Sequence, residues 1–443
     1  MSMASSNRAD TASVAARPAG DQPSHAGDGA SAPGTGGAET YFRKGFGLKA
    51  AVEEVLTADY NGRLVDLLRE RGYTLETGDV TIRLAREFGF CYGVERAVDY
   101  AYQARRKFPD LRIFLVGEII HNPHVNAKLE QMGVEFLFPG DGVFDFSGIV
   151  PEDVVILPAF GVTIGDFHRL REIGCIVVDT TCGSVLNVWK RVESYARDGF
   201  TSLIHGKHYH EETRATASQT AKHAGAAYIV VRNMEEAEIV CGFITSRVSS
   251  EELMARLGHA VSPGFEPVRD LRRIGVANQT TMLARESLAI GARAGAAMAE
   301  AWGADYAAAN FRTFDTICSA TQDRQDAVEE LLEEPLDAMV VIGGYNSSNT
   351  ISLAAICAAR VPTYHIEDAE CIEPETGRIR HRSSSGEETG TDAWLTGDGP
   401  VRVGLTAGAS TPNNKIGDTV FRILSTRGVE AGQGSGDQTP SSQ

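Results

Sequence analysis

One alternation runs along this chain from about residue 81 to residue 425: a short apolar run, a polar loop, then a segment with helical periodicity. Runs of strand length lie at 81–84, 112–116, 154–157, 175–179, 202–205, 228–231, 274–277, 338–342 and 401–405. Most are followed by apolar residues at helical spacing. Val94, Ala97, Val98 and Ala101 keep the i, i+3, i+4, i+7 pattern of one buried helix face, and Val328, Leu331 and Leu332 repeat it later. Strand, loop and helix repeated this often specify parallel sheets with helices on both sides. The expected fold class is therefore α/β. With 443 residues the chain is too long for one ordinary domain, so more than one such unit is expected.

The flanks differ in kind. Residues 1–41 are mostly Ala, Gly, Ser, Pro and Asp, and 430–443 have the same composition, so both are expected to be disordered tails. No apolar central stretch marks a signal peptide, and the acids among 1–41 argue against a transit peptide. Residues 42–80 form an added segment in which Leu48, Val52, Val55 and Leu56 are helically spaced. The Ser-, Gly-, Thr- and acid-rich stretch 374–399 reads as a surface insertion rather than core. Against 42 basic side chains stand 59 acidic ones, a net charge of −17 that excludes a general nucleic-acid or anionic-membrane binder. No apolar run reaches the roughly 18 residues of a spanning helix. Seven scattered cysteines do not form a disulfide framework, so a cytoplasmic protein with reduced thiols is expected.

Three of those cysteines share one context. Cys91 opens the Val94–Ala101 helical pattern; Cys182 ends Asp179-Thr180-Thr181-Cys182; Cys318 ends Asp315-Thr316-Ile317-Cys318. Each stands at a strand-to-helix corner, which suggests three related units. Packed around an axis, such units would bring three thiols together at helix N-termini, where the dipole favours thiolate. Three converging thiolates suit an iron–sulfur cluster better than a structural zinc, which usually shows paired CxxC spacing. The plainer alternative is three buried cysteines acting as small hydrophobes. Cys175, Cys241, Cys357 and Cys371 are assigned to the core or left unassigned.

Two further constellations sit at strand ends, where open α/β sheets bind ligands. His121 and His124 follow one strand; His205-Gly206-Lys207-His208-Tyr209-His210-Glu211-Glu212 follows another. The second group reads either as a zinc site or as a general acid beside anion-binding imidazoles. Gln279-Thr280-Thr281, Asn346-Ser347-Ser348-Asn349 and the Thr406–Pro412 loop put hydroxyls, amides and free N–H groups at helix starts, as phosphate sites do. Each alone could be an N-cap. Together they point to a small anion such as a diphosphate.

In combination, GFCYGVERA, EIIHNPHV, DTTC, HGKHYHEE, NQTTM, DTICSATQDRQ, GGYNSSNT and TAGAST resemble the 4-hydroxy-3-methylbut-2-enyl diphosphate reductase family over about 81–425. The resemblance implies three αβα units in a trefoil around one [4Fe–4S] cluster per chain. It assigns unit one to 81–181, completed by about 413–429, unit two to 182–315 and unit three to 316–412. It implies Cys91, Cys182 and Cys318 as the three cluster ligands, which leaves one iron open. Glu212 is implied as proton donor and Thr280 as the residue that positions the substrate hydroxyl. His121, His210, Thr281, Ser347, Ser348, Asn349 and Ser410 are implied as substrate ligands. Phe160, in Pro158-Ala159-Phe160-Gly161, stands where many bacterial members carry a histidine, and this form is similar to the plant and cyanobacterial branch.

The activity so implied is reductive dehydroxylation of the diphosphate to isopentenyl and dimethylallyl diphosphate, the last step of the non-mevalonate (MEP) isoprenoid pathway. The implied electron donor is ferredoxin or flavodoxin, for which Arg105-Arg106-Lys107 is a candidate landing site, a solvated helix end being the favoured reading of that run. The rival readings are a non-catalytic iron–sulfur electron carrier or redox sensor, which needs the cysteines but not Glu212 or the phosphate loops, and a zinc hydrolase built on the histidine-rich loop.

Overall fold

The computed structural model describes residues 40–314, 316–395 and 399–429. Most of the two expected tails, and Asp315, lie outside the described residues. Three sheets form. All nine strands expected from the sequence are present, and most are buried on both faces, Val80–Leu84 on one. Ile113–Val116, Val154–Leu157, Thr201–His205, Ile274–Asn278 and Ala338–Ile342 each bury every residue, as strands covered by helices on both sides must.

The sheets share a plan. In each, a cysteine-capped helix leads into a central strand: Tyr92–Lys107 into Ile113–Val116, Gly183–Arg197 into Thr201–His205, and Ser319–Leu331 into Ala338–Ile342. The next strand pairs on one side of the central strand: Val134–Leu137, Tyr228–Val231 or Thr363–Ile366. The one after that crosses to the other side: Val154–Leu157, Ile274–Asn278 or Val401–Ala407. All these pairs are parallel. The strand order therefore reverses at each central strand, and the loops on either side of the reversal open a crevice at the strands' C-terminal ends.

A fourth parallel strand lies outside each crossing strand: Ile176–Asp179 in the first sheet, Phe311–Thr313 in the second and Val80–Leu84 in the third. The chain leaves each of these for the next cysteine. This corrects the expected grouping of 81–84 with the first unit, because Val80–Leu84 registers with Val401–Leu405 in the third sheet. The Asn413–Thr426 helix likewise packs Ile416, Val420, Ile423 and Leu424 into the core under that third sheet, not the first.

Two more expectations are adjusted. Tyr41, expected in the tail, pairs through Tyr41–Phe42 with Ile176–Asp179 and donates its hydroxyl to Asp179 at 2.6 Å. The segment 374–399 carries the antiparallel strands Arg378–Arg382 and Glu388–Thr391. Ile379, Trp394 and Leu395 from it are buried in the third sheet's core, while most of its other described residues are exposed, as a surface insertion requires.

Residues 42–80 hold the helices Lys49–Tyr60 and Arg63–Glu70 and the strand Thr74–Thr77. The first helix packs behind the Cys91 corner, with the ring of Tyr60 5.5 Å from that of Phe90. Its entry is held by buried Gln103, whose Oε1 accepts from the amides of Phe46 at 3.0 Å and Leu48 at 3.1 Å. Replacing Gln103 with Leu leaves both amides without this partner and should cost about 1–3 kcal/mol. Thermal denaturation should fall accordingly, and limited proteolysis should first open the 42–60 segment. An unchanged melt and digest would show that this side chain does not anchor the extension.

Candidate active site

Cys91, Cys182 and Cys318 are the N-cap residues of three helices. Each has extended backbone and makes no side-chain capping bond. Their amides are anchored in one repeated way: Cys91 N–H to Ala409 C=O at 3.1 Å, Cys182 N–H to Ala159 C=O at 2.9 Å, and Cys318 N–H to Thr280 C=O at 3.4 Å. Two positions further on stand three small residues, Gly93, Ser184 and Ala320. A Cβ on Gly93 would lie 2.5 Å from Cys182 Sγ, so only glycine leaves that thiol its place. Ser184 Oγ donates to Cys318 Sγ at 3.2 Å.

The three thiols line one inner cavity of about 80 Å³. The same cavity is lined by His121, His210, Glu212, Thr280, Thr281, Ser347, Ser348, Asn349 and Ser410, the residues the resemblance implies, whereas His124, His205 and His208 do not line it. An outer cleft of about 450 Å³ adjoins it, and His121, Phe160 and His210 line both. Phe160 stacks on His121 at 4.4 Å between ring centres and meets His210 edge-on at 5.6 Å.

The donor set fits an iron–sulfur cluster. Three cysteine sulfurs around one cavity, with no paired CxxC spacing, are the ligand type of such clusters. Burial pushes the thiols of Cys91 and Cys182 up, against backbone N–H groups of Val94 and Gly93 for the first and of Ser184 and Val185 for the second. Cys175, Cys241, Cys357 and Cys371 are all buried in hydrophobic clusters.

Glu212 opens the Glu211–Ser218 helix and is 1 % exposed. Its Oε1 accepts the Thr280 amide at 2.6 Å, but burial outweighs that bond and raises its pKa to about 7. Glu211 points instead into the outer cleft, with its side chain 51 % exposed. His210 Nδ1 accepts the Glu212 amide at 3.1 Å, which leaves Nε2 to carry the proton. Burial, then the charges of His121 and Lys207, lower its pKa to about 3, so it stays neutral. His121 Nδ1 lies 2.7 Å from Glu118. Its buried Nε2 has no hydrogen-bond partner among the described residues. His121, His210 and Glu211 bring ligand atoms within 4.8 Å of one another, but this set draws His121 from outside the histidine-rich loop and leaves the three thiols without a role.

Sequence reasoning missed Gln279 as an organiser. Its Oε1 accepts from Thr213 Oγ1 at 3.1 Å and from the Lys207 amide at 3.2 Å. Its Nε2 donates to Thr281 Oγ1 at 3.0 Å and Ser348 Oγ at 3.2 Å. The available signal was its place beside Thr280. The candidate landing site at Arg105-Arg106-Lys107 fares differently. Arg105 bonds the carbonyls of Phe108, Pro109, Leu111 and Gly133. It sits at the far end of a 16-residue helix, about 20 Å from Cys91.

The arrangement defines a class: an α/β protein of three switch-point sheets, with three thiols, an acid and hydroxyl-rich loops around one cavity. The chain matches the LytB protein family over residues 82–424 and belongs to it. It is 48% identical over 392 residues to 4-hydroxy-3-methylbut-2-enyl diphosphate reductase of Thermosynechococcus vestitus, covering 88% of this chain and 96% of that relative. To the enzyme of the same name from Acaryochloris marina it is 46% identical over 403 residues, covering 89% and 95%. The fold resembles that of E-1-hydroxy-2-methyl-but-2-enyl-4-diphosphate reductase from Plasmodium falciparum, with a TM-score of 0.56 at 20% identity, covering 77% of this chain and 87% of the other.

Individual Cys91→Ser, Cys182→Ser and Cys318→Ser variants purified without oxygen should lose iron and visible absorbance. Cys175→Ser, Cys241→Ser and Cys357→Ser should keep both and lose only stability. Full iron content in Cys182→Ser would overturn the assignment of the cavity.

Proposed function

We propose that this chain reduces (E)-4-hydroxy-3-methylbut-2-enyl diphosphate to isopentenyl and dimethylallyl diphosphate, with a [4Fe–4S] cluster held by Cys91, Cys182 and Cys318. The supporting observation is the meeting of three N-cap cysteines with a protonatable buried glutamate and phosphate-type loops around one cavity. When bound, the cluster supplies two electrons, one at a time, and a Lewis-acidic iron. Overall, the C–O bond breaks, two electrons and two protons are taken up, and water leaves. The electrons come from a small one-electron carrier such as ferredoxin or flavodoxin. Among the described residues no helix is long and apolar enough to cross a membrane, and we assign the reaction to the cytoplasm.

The protein's own residues bind, orient and protonate. Ser347, Ser348, Asn349, Thr281 and Ser410 hold the diphosphate at the start of the Ser348–Ala358 helix, where free N–H groups favour an anion. Neutral His210 donates through Nε2, and His121 offers its unpartnered Nε2. Held at both ends, the substrate presents its hydroxyl in a reactive orientation. Thr280 fixes the Glu212 carboxylate through its amide, and Glu212 delivers the proton that turns the hydroxyl into water. Phe160 closes the cavity against the wet outer cleft and stacks His121 in place.

Glu212→Gln should keep iron content and substrate binding, while single-turnover and steady-state rates fall about 10²–10⁴-fold. Because the acid must be protonated, the wild-type rate should be level at low pH and decline as pH rises through about 7. Glu211→Gln, altered in the outer cleft, should change the rate far less. A Glu212→Gln enzyme that turns over normally would refute the assignment.

A further inference from the structure

Two cations of the outer cleft have no part in the reading above. Lys207 lies on the loop after Thr201–His205, and Arg382 ends the strand Arg378–Arg382 of the hairpin; both line the cleft. Of the neighbouring carboxylates, Glu118 lies 2.7 Å from His121 Nδ1, and Glu211 lies 3.6 Å from His121 Nε2. Neither Lys207 nor Arg382 has a carboxylate within 4.0 Å among the described residues, although the chain carries a net charge of −17. Arg382 bonds the carbonyls of Tyr345 and Gly386, and its charge, after burial, lowers the pKa of Lys207. Half-buried cations facing each other without a counter-ion are a costly arrangement in the free protein.

The hydrogen bonds around them point the same way. Lys207 Nζ donates to Ser348 Oγ at 3.1 Å, and Gln279 Nε2 donates to the same oxygen at 3.2 Å. With both lone pairs of that oxygen engaged, the Ser348 proton is left to donate elsewhere. Asn349 Oδ1 is taken by the Ala409 amide at 2.9 Å, and its Nδ2 is buried without a partner in a residue 2 % exposed. Ser348 and Asn349 face the inner cavity, and Lys207 faces the outer cleft. Unused donors thus remain on Ser348 and Asn349 in the inner cavity, next to the Lys207 ammonium in the outer cleft, which has no anion within 4.0 Å among the described residues.

We propose that Lys207, backed by Arg382, binds the terminal phosphate of the diphosphate substrate, while Ser348 and Asn349 hold the phosphate nearer the carbon chain. This rests on the substrate class proposed above and adds two ligands to it. It also gives the hairpin a function: Arg382 reaches the mouth of the site and ties the Tyr345 loop to it. The two phosphates are then read separately, and a ligand with one phosphate reaches the inner donors only.

Calorimetry with inorganic pyrophosphate and with inorganic phosphate, on the anaerobically purified holoenzyme, tests this. Lys207→Gln should weaken pyrophosphate about 10- to 100-fold, with phosphate shifted less than about 3-fold. Arg382→Gln should weaken pyrophosphate to a smaller degree, and Lys207→Arg should restore most of the affinity. KM for the hydroxylated diphosphate should rise in parallel, by more than kcat falls. Unchanged pyrophosphate affinity in Lys207→Gln with native cluster absorbance overturns the proposal. If that variant loses its cluster, Arg382→Gln is read in its place, and unchanged affinity there overturns the proposal equally. A wild-type protein that binds pyrophosphate through Lys207 yet fails to reduce the substrate would refute the activity while leaving this binding role standing.

Discussion

Three backbone hydrogen bonds of one kind hold the centre of this molecule. Each cysteine amide bonds a carbonyl in the loop after the crossing strand of the preceding sheet: Cys182 to Ala159 of the first, Cys318 to Thr280 of the second, Cys91 to Ala409 of the third. Each such bond is worth only about 1 kcal/mol net, but leaving a buried amide unpaired costs about 1–3 kcal/mol. Their value is geometric. Every thiol is positioned by one sheet while its helix leads into the next, so no unit can shift without moving a sulfur. The loops that accept these bonds also carry Phe160, Thr280 and Ser410, and the metal-type and anion-type halves of the site are thereby set by the same contacts.

Much of this was legible in the sequence, for a physical reason. A strand covered on both faces must be apolar throughout, and Ala338–Ile342 or Val154–Leu157 can be read directly as such runs. Two outer strands were not legible: Val134–Leu137 and Thr363–Ile366 bury only part of their length and carry Glu135 and Tyr364 among apolar neighbours. Nor was the sheet to which Val80–Leu84 belongs, since parallel pairing with a segment more than 300 residues away leaves no local mark. In the candidate site, residues immediately after strands could be named because switch-point loops carry function. Arg382 escaped notice because it lies in a segment that reads as surface, while the inward alternation of Ile379 that orients the hairpin is one residue deep.

The electrostatics of the cavity follow from burial more than from partners. Glu212 and His210 are neighbours on one helix start, yet burial moves their pKa values in opposite directions, to about 7 and about 3. Both moves favour the uncharged form. Beside the thiols stand a neutral His210 and a Glu212 near the midpoint of its titration at neutral pH, while the fixed positive charge of Lys207, Arg214 and Arg382 lines the outer cleft. An incoming polyanion meets charge first and hydrogen-bond donors second.

The pairing of Val80–Leu84 with Val401–Leu405 has a consequence for how the molecule is made. On the ribosome, the earlier strand emerges 321 residues ahead of its parallel partner, since 401 − 80 = 321. At about 5–20 residues per second that is a wait of roughly 16–64 s. Throughout it, Cys91 lacks the Ala409 carbonyl that fixes its amide. The three-thiol pocket is thus complete only after nearly the whole chain has been synthesised. The proposed cluster would therefore be loaded onto a finished polypeptide, and a chain truncated before residue 401 offers two cysteine corners correctly tied and the third untethered.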